Sequence, residues 1–295
     1  MASLITQVKS KLFIHSAQKS MHALDGAYAS LLHGRSLDFE DLRAYEYGDQ
    51  VRDIDWRATA RMSEPLVKRH RANRMHTVLF VVDTGRAMTA IAHDEKPKKD
   101  LAILATGALG MLALRHGDDF SLVYGDAHRV RRRAPGRSEG SLEHALRTIK
   151  SAIEASSAPS DRDGLLSYVA RTIARRCIVV IVTDEAPVTA DTERMLRRLR
   201  VQHDVLWLTL RDADPVLDHA SATVRTDVNT RWDIPDFVHG DAEVLSELIA
   251  QQQADAARRA ALLDRLEISH ATLETQADAV SALLRMLNRR AHVRS

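Results

Sequence analysis

The chain has 295 residues, with 42 Lys and Arg against 40 Asp and Glu, a formal net charge of +2 and a pI near 8.7. That near balance argues against a chain built to coat nucleic acid, and 45% hydrophobic residues with 28% charged exclude global disorder. The single Cys177 excludes an intramolecular disulfide, allows a reducing compartment, and sits beside the apolar run 178–182, where a buried inert thiol is expected.

In chain order, Leu4, Ile5, Val8 and Leu12, then Met21, Leu24, Tyr28, Leu31 and Leu32, recur at helical spacing and predict one or two helices over 1–33. Residues 34–70 break that pattern, crowding acids, arginines and aromatic side chains together. The mixture is too polar for a core and too aromatic for a linker, and it suits networks of arginine forks and carboxylates. Thr77–Val82 is then a continuous β-rich run ending at Asp83, the pattern of a buried parallel strand. A helix is predicted over Lys98–His116, closed by Gly117, and a strand over Phe120–Tyr124. His128–Arg133, charged and joined by a tight turn at Gly125-Asp126, reads as an antiparallel edge strand. Helices are predicted over Ser141–Glu154, Asp161–Arg176 and Thr189–Gln202, with strands over Cys177–Thr183 and Val205–Leu210 between and after them. The alternation predicts an α/β fold with a mostly parallel central sheet flanked by helices in three layers. Beyond it come a strand over Ala222–Val228, an aromatic loop over Arg231–Phe237, a long helix over Asp241–Arg265, a strand over Glu267–Leu273 and a closing helix over Ala277–Arg290.

The dense stretch carries a resemblance. Its residues Gly34, Asp38, Phe39, Arg43, Tyr45, Gly48, Asp49, Arg52, Ile54, Asp55, Trp56, Ala60 and Arg61 match the signature of the domain of unknown function 58 family in order and spacing. The resemblance covers most of the chain. It implies a von Willebrand factor A like domain directly after the signature, with the edge strand reversed as expected above. The division that follows is 1–75 for the N-terminal helices and signature, 76–228 for the A-like domain, and 229–295 for a C-terminal helical extension packed on it. Relatives are commonly found beside MoxR-type AAA+ ATPases, which implies a protein partner of that kind and a role in assembling or remodelling complexes. Some relatives carry membrane segments before the signature; here the N-terminus lacks an apolar run of signal-peptide length, and Leu101–Leu114, about 14 residues, is too short to cross a bilayer. A cytoplasmic protein is expected.

In an open α/β sheet, chemistry gathers at the carboxyl ends of the strands. Asp83 and Asp184 mark that edge. In von Willebrand A domains the first acid opens a D-x-S-x-S motif whose serines, with a threonine from another loop, ligate Mg²⁺, and the second acid completes the metal-ion-dependent adhesion site. This chain reads Asp83-Thr84-Gly85-Arg86-Ala87 instead. Gly85 and Ala87 offer no side-chain oxygen and Arg86 adds a cation, so the resemblance implies a degenerate site without metal, with Ser141 or Thr89 left as stray oxygens. Asp83 and Asp184 are then expected to accept backbone N–H bonds at the sheet edge.

Gly136-Arg137-Ser138-Glu139-Gly140 fits the G-x-S-x-G pattern of serine hydrolases, with His203, His219, His239 and His270 downstream. That chemistry requires a sharp turn out of a buried strand, whereas a charged strand with a proline precedes Ser138. No phosphate loop, dinucleotide fingerprint, H-E-x-x-H or C-x-x-C occurs, so no cofactor and no small-molecule substrate are implied. The basic clusters at 68–74, 129–137 and 194–200 lack interleaved aromatic residues, which favours solvated faces or acidic protein partners over nucleic acid. The reading is a non-enzymatic interaction module. Serine hydrolysis through Ser138 and nucleic-acid binding through the basic clusters are the alternatives. The signature is expected either to brace the sheet from below, as Asp55 and Trp56 suggest by reading as a buried brace, or to form the docking surface, with Arg43, Asp49 and Arg52 facing out.

Overall fold

Side chains alternate about the most apolar strands, so each of those strands must be covered on both faces. A computed structural model describes residues 3–14, 24–28, 41–46, 54–61, 64–69, 76–216, 225–235, 239 and 241–293. It begins with α1 (Leu4–Ile14) and a short helical stretch α2 (24–28), followed by β1 (Asp41–Ala44), the single turn α3 (Trp56–Thr59) and β2 (Leu66–Arg69), with β1 and β2 antiparallel. The main unit then runs β3 (Thr77–Asp83), α4 (Lys98–Arg115), β4 (Asp119–Gly125), β5 (Val130–Gly136), α5 (Glu139–Glu154), α6 (Arg162–Thr172), β6 (Ile178–Thr183), α7 (Ala190–Gln202) and β7 (Asp204–Leu210). A hairpin of β8 (Arg225–Thr226) and β9 (Asp233–Ile234), then α8 (Ala242–Arg265), β10 (Ser269–Leu273) and α9 (Ala279–Val293), complete the described chain.

The central sheet has the order β10-β7-β6-β3-β4-β5, parallel except for β5, which runs against β4 at one edge. Val78, Phe80 and Val82 of β3 point to one face, in a core shared with α1, α4, α5 and α9. Leu79 and Val81 point to the other, with Trp207 of β7 and the apolar faces of α6, α7 and α8. The C-terminal part, expected as a helical extension packed on the A-like domain, also adds its strand to the sheet: β10 pairs with β7, and Leu283 and Leu287 of α9 are buried in the first core. The N-terminal region joins the same core, because Gly107 of α4 lets α1 approach so closely that a Cβ there would lie 2.7 Å from Val8 Cγ2.

Local chemistry explains where boundaries differ from the periodicity. The α5 helix starts at Glu139 because the Ser138 side chain accepts the Ser141 N–H as its N-cap. α6 stops at Thr172, since Ile173 leaves the helix and buries against the second face of the sheet. The strand predicted over 222–228 is confined among the described residues to two residues, because Asp227 Oδ1 accepts the N–H groups of Asn229 and Thr230 and turns the chain.

α1 is docked by one carboxylate. Glu143 of α5 accepts the N–H groups of Ile5 at 2.8 Å and Leu4 at 3.1 Å and the Ser3 hydroxyl at 3.0 Å, while Arg147 Nε donates to it at 2.8 Å. Burial opposes its ionisation, but these donors prevail and hold the carboxyl at about 2. Its folded pKa lies below its ordinary value, so its contribution is complete above about pH 4.5 and fades as pH falls toward about 2. Glu143→Ala is expected to cost about 1–2 kcal/mol at pH 7 and progressively less in acid. Denaturant midpoints measured at both ends of that range test this, and an unchanged difference would refute it.

Candidate functional site at the carboxyl edge of the sheet

The chain leaves β3 toward β4 on one side and returns to β6 on the other, so the topological switch lies between the carboxyl ends of β3 and β6. Asp83 closes β3 there, and Asp184 follows β6. Both are buried and both accept backbone N–H bonds: Asp83 Oδ1 from Gly85 at 2.8 Å and Asp184 Oδ1 from Ala186 at 3.1 Å. Asp83 Oδ2 and the Ser160 hydroxyl are buried without a hydrogen-bond partner among the described residues.

Among the described residues the Ser160 hydroxyl is left open beside Asp83, whereas the two nearby threonine hydroxyls are engaged. Thr84 donates its hydroxyl to the Gly125 carbonyl at 3.1 Å, and Thr89 donates to the Arg86 carbonyl at 2.8 Å. Ser141 lies at the opposite end of the sheet, beside Gly136, which pairs with the first residues of β4. At Gly85 the obstacle is space. A Cβ there would lie 2.4 Å from Ser160 Cα and 2.5 Å from Ser160 N, so the 157–160 loop occupies the volume of any side chain. That loop is tied down by the Arg86 N–H to the Ala158 carbonyl, the Ala127 N–H to the Pro159 carbonyl, and the Arg86 guanidinium, which bonds the carbonyls of Ser157 and Asn229. Ala87 is buried and has no oxygen to offer. Positions 85 and 87 thus give a metal ion no side-chain oxygen, and no group of three or more His, Cys, Asp or Glu is placed to hold one among the described residues.

A lysine supplies the positive charge of this edge. Lys98, the first residue of α4, is 0% exposed, and its ammonium is ion-paired with Asp212 after β7. Burial pushes the Asp83 carboxyl up to about 7; the Gly85 N–H opposes this, Asp184 adds to it, and Ser160 and Lys98 oppose it. Burial likewise pushes Asp212 up to about 6, against the pull of Lys98. Two arginines hold the loop after β6. Arg162 donates to the carbonyls of Ala186 and Pro187 at 2.9 and 2.8 Å and lies over the Trp207 ring, and Arg259 of α8 donates to the Glu185 carbonyl at 3.0 Å. Neither Lys98 nor Arg259 stood out in the sequence, because a lysine opening a helix and an arginine within one read as solvated residues. Beside them, between the Ala87 turn, the β8–β9 hairpin and α8, lies a cleft of about 450 Å³. Several of its charges are already paired, Arg225 with Glu95 at 2.6 Å and Asp212 with Lys98.

Within the signature, Asp38, Phe39, Gly48, Asp49 and Arg52 lie outside the described residues, and of Arg43 only the backbone, in β1, is described. Asp55 is half-buried, and its carboxylate accepts the Ala58 N–H at 3.0 Å while its own N–H donates to the Leu66 carbonyl at 2.8 Å. Trp56, read as part of a brace, is 64% exposed, and Tyr45 and Arg61 are exposed as well. Asp55 fixes the turn, and that turn presents Trp56 to solvent.

The hydrolase pattern resolves into a helix cap. Ser138 Oγ meets Ser141 N at 3.2 Å and Ser141 Oγ at 2.9 Å, with no histidine bonded to it among the described residues. His203 is buried beside Cys177, His270 meets Asp264, and His219 lies outside the described residues. Burial pushes the Cys177 thiol up to about 12, so it stays a protonated core side chain. The basic face of α7 is largely neutralised, with Arg194, Arg197 and Arg200 paired to Asp191, Glu193 and Glu267.

A mostly parallel sheet with one reversed edge strand, helices on both faces and acids at the switch point defines a von Willebrand factor A like domain, here with Gly85 and Ala87 at the two serine positions of the metal motif. The chain belongs to the DUF58 family, described as "Protein of unknown function DUF58", whose model matches residues 41–228. It is 29% identical over 201 residues to the uncharacterized proteins Rv1480 of Mycobacterium tuberculosis and Mb1516 of Mycobacterium bovis, covering 66% of this chain and 61% of theirs. The chain thus spans about 61% of the length of those curated relatives. Solved structures with some likeness include an aerotolerance-related membrane protein from Bacteroides fragilis, at 15% identity and TM-score 0.42 over 72% of this chain and 99% of that one. Another is a von Willebrand factor type A protein from Catenulispora acidiphila, at 12% identity and TM-score 0.39 over 74% of this chain and 43% of that one.

Restoring the motif is expected to fail. Gly85→Ser with Ala87→Ser should destabilise the fold by about 1–3 kcal/mol through overpacking, and calorimetric titration with Mg²⁺ should give no heat of binding; saturable Mg²⁺ binding by the double variant would overturn this account of the edge. Asp83 tests its electrostatics. Its folded pKa is raised, so the folded state keeps a proton the unfolded chain releases, and stability is lost as pH rises from about 4 through about 7. Asp83→Asn keeps the oxygen that accepts from Gly85 and should therefore be neutral near pH 4 and stabilising by on the order of 2–3 kcal/mol at pH 8. Melting temperatures across that range decide it, and a variant less stable at pH 8 than the parent would be the contrary result.

Proposed function

We propose that the chain is a non-enzymatic interaction module that works with a MoxR-type AAA+ ATPase in assembling or remodelling protein complexes, and that it docks on the ATPase through the signature segment. The observation that carries this reading is Trp56, 64% exposed on a turn that Asp55 holds in place. A large aromatic side chain on a fixed backbone loses little entropy on binding, and such residues dominate the energetics of protein interfaces. Tyr45 is exposed as well, and its backbone is held by a 2.9 Å bond from its N–H to the Pro65 carbonyl. The missing serine oxygens at positions 85 and 87 support the same reading, since a docking surface built on side chains requires no ion. Within the cell, we place this activity in the cytoplasm. No helix of the described residues is long and apolar enough to cross a membrane.

Trp56→Ala removes an exposed side chain and is expected to leave the melting temperature nearly unchanged. Affinity capture of the tagged protein from its own host with ATP present should enrich an AAA+ ATPase on the parent and lose it, by more than about tenfold, on this variant. Capture of no ATPase by either form would end the proposal.

A further inference from the structure

We propose that the outer edge of β5 is a second docking surface, one that takes an extended acidic segment of a partner protein as an added strand. β5 pairs with β4 on one side only, and among the described residues nothing pairs with its other side. An unpaired strand offers a row of N–H and C=O groups to any extended chain of suitable character. Here that character is set by arginine. Residues 129–137 carry five arginines and no acid. Arg137 is taken by Asp119, and among the described residues Arg133 donates to the Thr148 hydroxyl alone, at 3.2 Å, which leaves its charge unpaired. Arg129, Arg131 and Arg132 are exposed and meet no carboxylate among the described residues. Asp126, the nearest acid in sequence, is turned into the hairpin, where it accepts the N–H groups of His128 and Arg129.

The edge also has depth beside it. Between β5 and the first turns of α5 lies a groove of about 480 Å³, floored by Phe120 and Leu122 and walled by Arg133, Pro135, Ser138 and His144. A strand added to β5 would send alternate side chains toward this groove and toward the α6 side of the sheet. Arg131 and Arg132, opposite Tyr124 and Val123, serve the two sides in turn, so carboxylates on either face of the added strand meet a guanidinium. The same charges refuse the wrong partners: a second copy of β5 would set arginine against arginine, and a lysine-rich strand would fare no better. Trp56 is not among the residues that line this edge, so this inference stands or falls independently of the ATPase reading.

Fluorescence anisotropy with the full chain and a short labelled peptide alternating glutamate and valine tests the proposal. Saturable binding is expected, weakened at least about tenfold by Arg131→Glu with Arg132→Glu and by N-methylation of alternate peptide bonds, and unchanged by Trp56→Ala. Because both arginines are exposed, the charge variant should keep the parent's melting temperature. Equal binding by the charge variant, or equal binding of a lysine–valine peptide, would overturn the assignment. Indifference to N-methylation would reduce it to charge attraction without strand addition and so overturn it too. Tighter binding of oligothymidylate than of the acidic peptide, lost in the same variant, would make the edge a nucleic-acid face instead.

Discussion

A lysine ammonium with no exposure is the constraint on which the carboxyl edge of this sheet depends. A buried charge must be paired or it costs several kcal/mol, and the pairing of Lys98 with Asp212 ties the start of α4 to the end of β7. Asp83, Asp184 and Glu185 complete the same neighbourhood, so its carboxylates are balanced by a cation of the chain itself, with Arg162 and Arg259 fixing the loop between them. A side chain at position 85 would have to displace the 157–160 loop packed on Gly85. The absent serines, the filled volume and the internal cation all follow from one arrangement.

Closing that edge changes what the fold can use for recognition. An A-like sheet with an ion at its switch point presents a localised positive charge whose strength depends on metal supply. This chain offers side chains and backbone instead: an exposed indole on a capped turn and an arginine-bearing strand edge. Neither surface is built on an ion: the first rests on the Asp55 cap and the second on the β4–β5 pairing. The charges lining the cleft at the switch point are partly spent within the protein, which makes it a weaker candidate than either surface.

The sheet was legible because its strands are short apolar runs bounded by turn residues, and the reversed edge was legible in the arginines of β5 and the tight turn before it. The missing hydroxyls at Gly85 and Ala87 could likewise be read directly from the motif. What could not be read was tertiary. Nothing near Gly85 in sequence announces that Ser160 fills its side-chain volume, and Lys98 looks like any solvated lysine at a helix start until Asp212 is brought to it. β10 was visible as a strand, but its place beside β7 is a long-range pairing that periodicity does not encode. Trp56 misled because an aromatic residue beside an acid in a dense polar stretch suggests burial, whereas the acid alone does the bracing.

The arginines of β5 bear on a general tension in sheet proteins. An open edge invites pairing with any extended chain, and charged side chains are the usual deterrent. Deterrence by like charges spread along a strand is selective, however: it falls on neutral, basic and self-complementary strands and is reversed for an acidic one. With Arg137 neutralised by Asp119, the arginines that meet no carboxylate among the described residues, Arg129 and Arg131 to Arg133, lie toward the β4–β5 turn. Ordinary solvation of a protective edge requires no such polarity along the strand. A docking surface with a preferred register and direction does, and this asymmetry, more than the count of charges, is why the edge reads as a site as well as a safeguard.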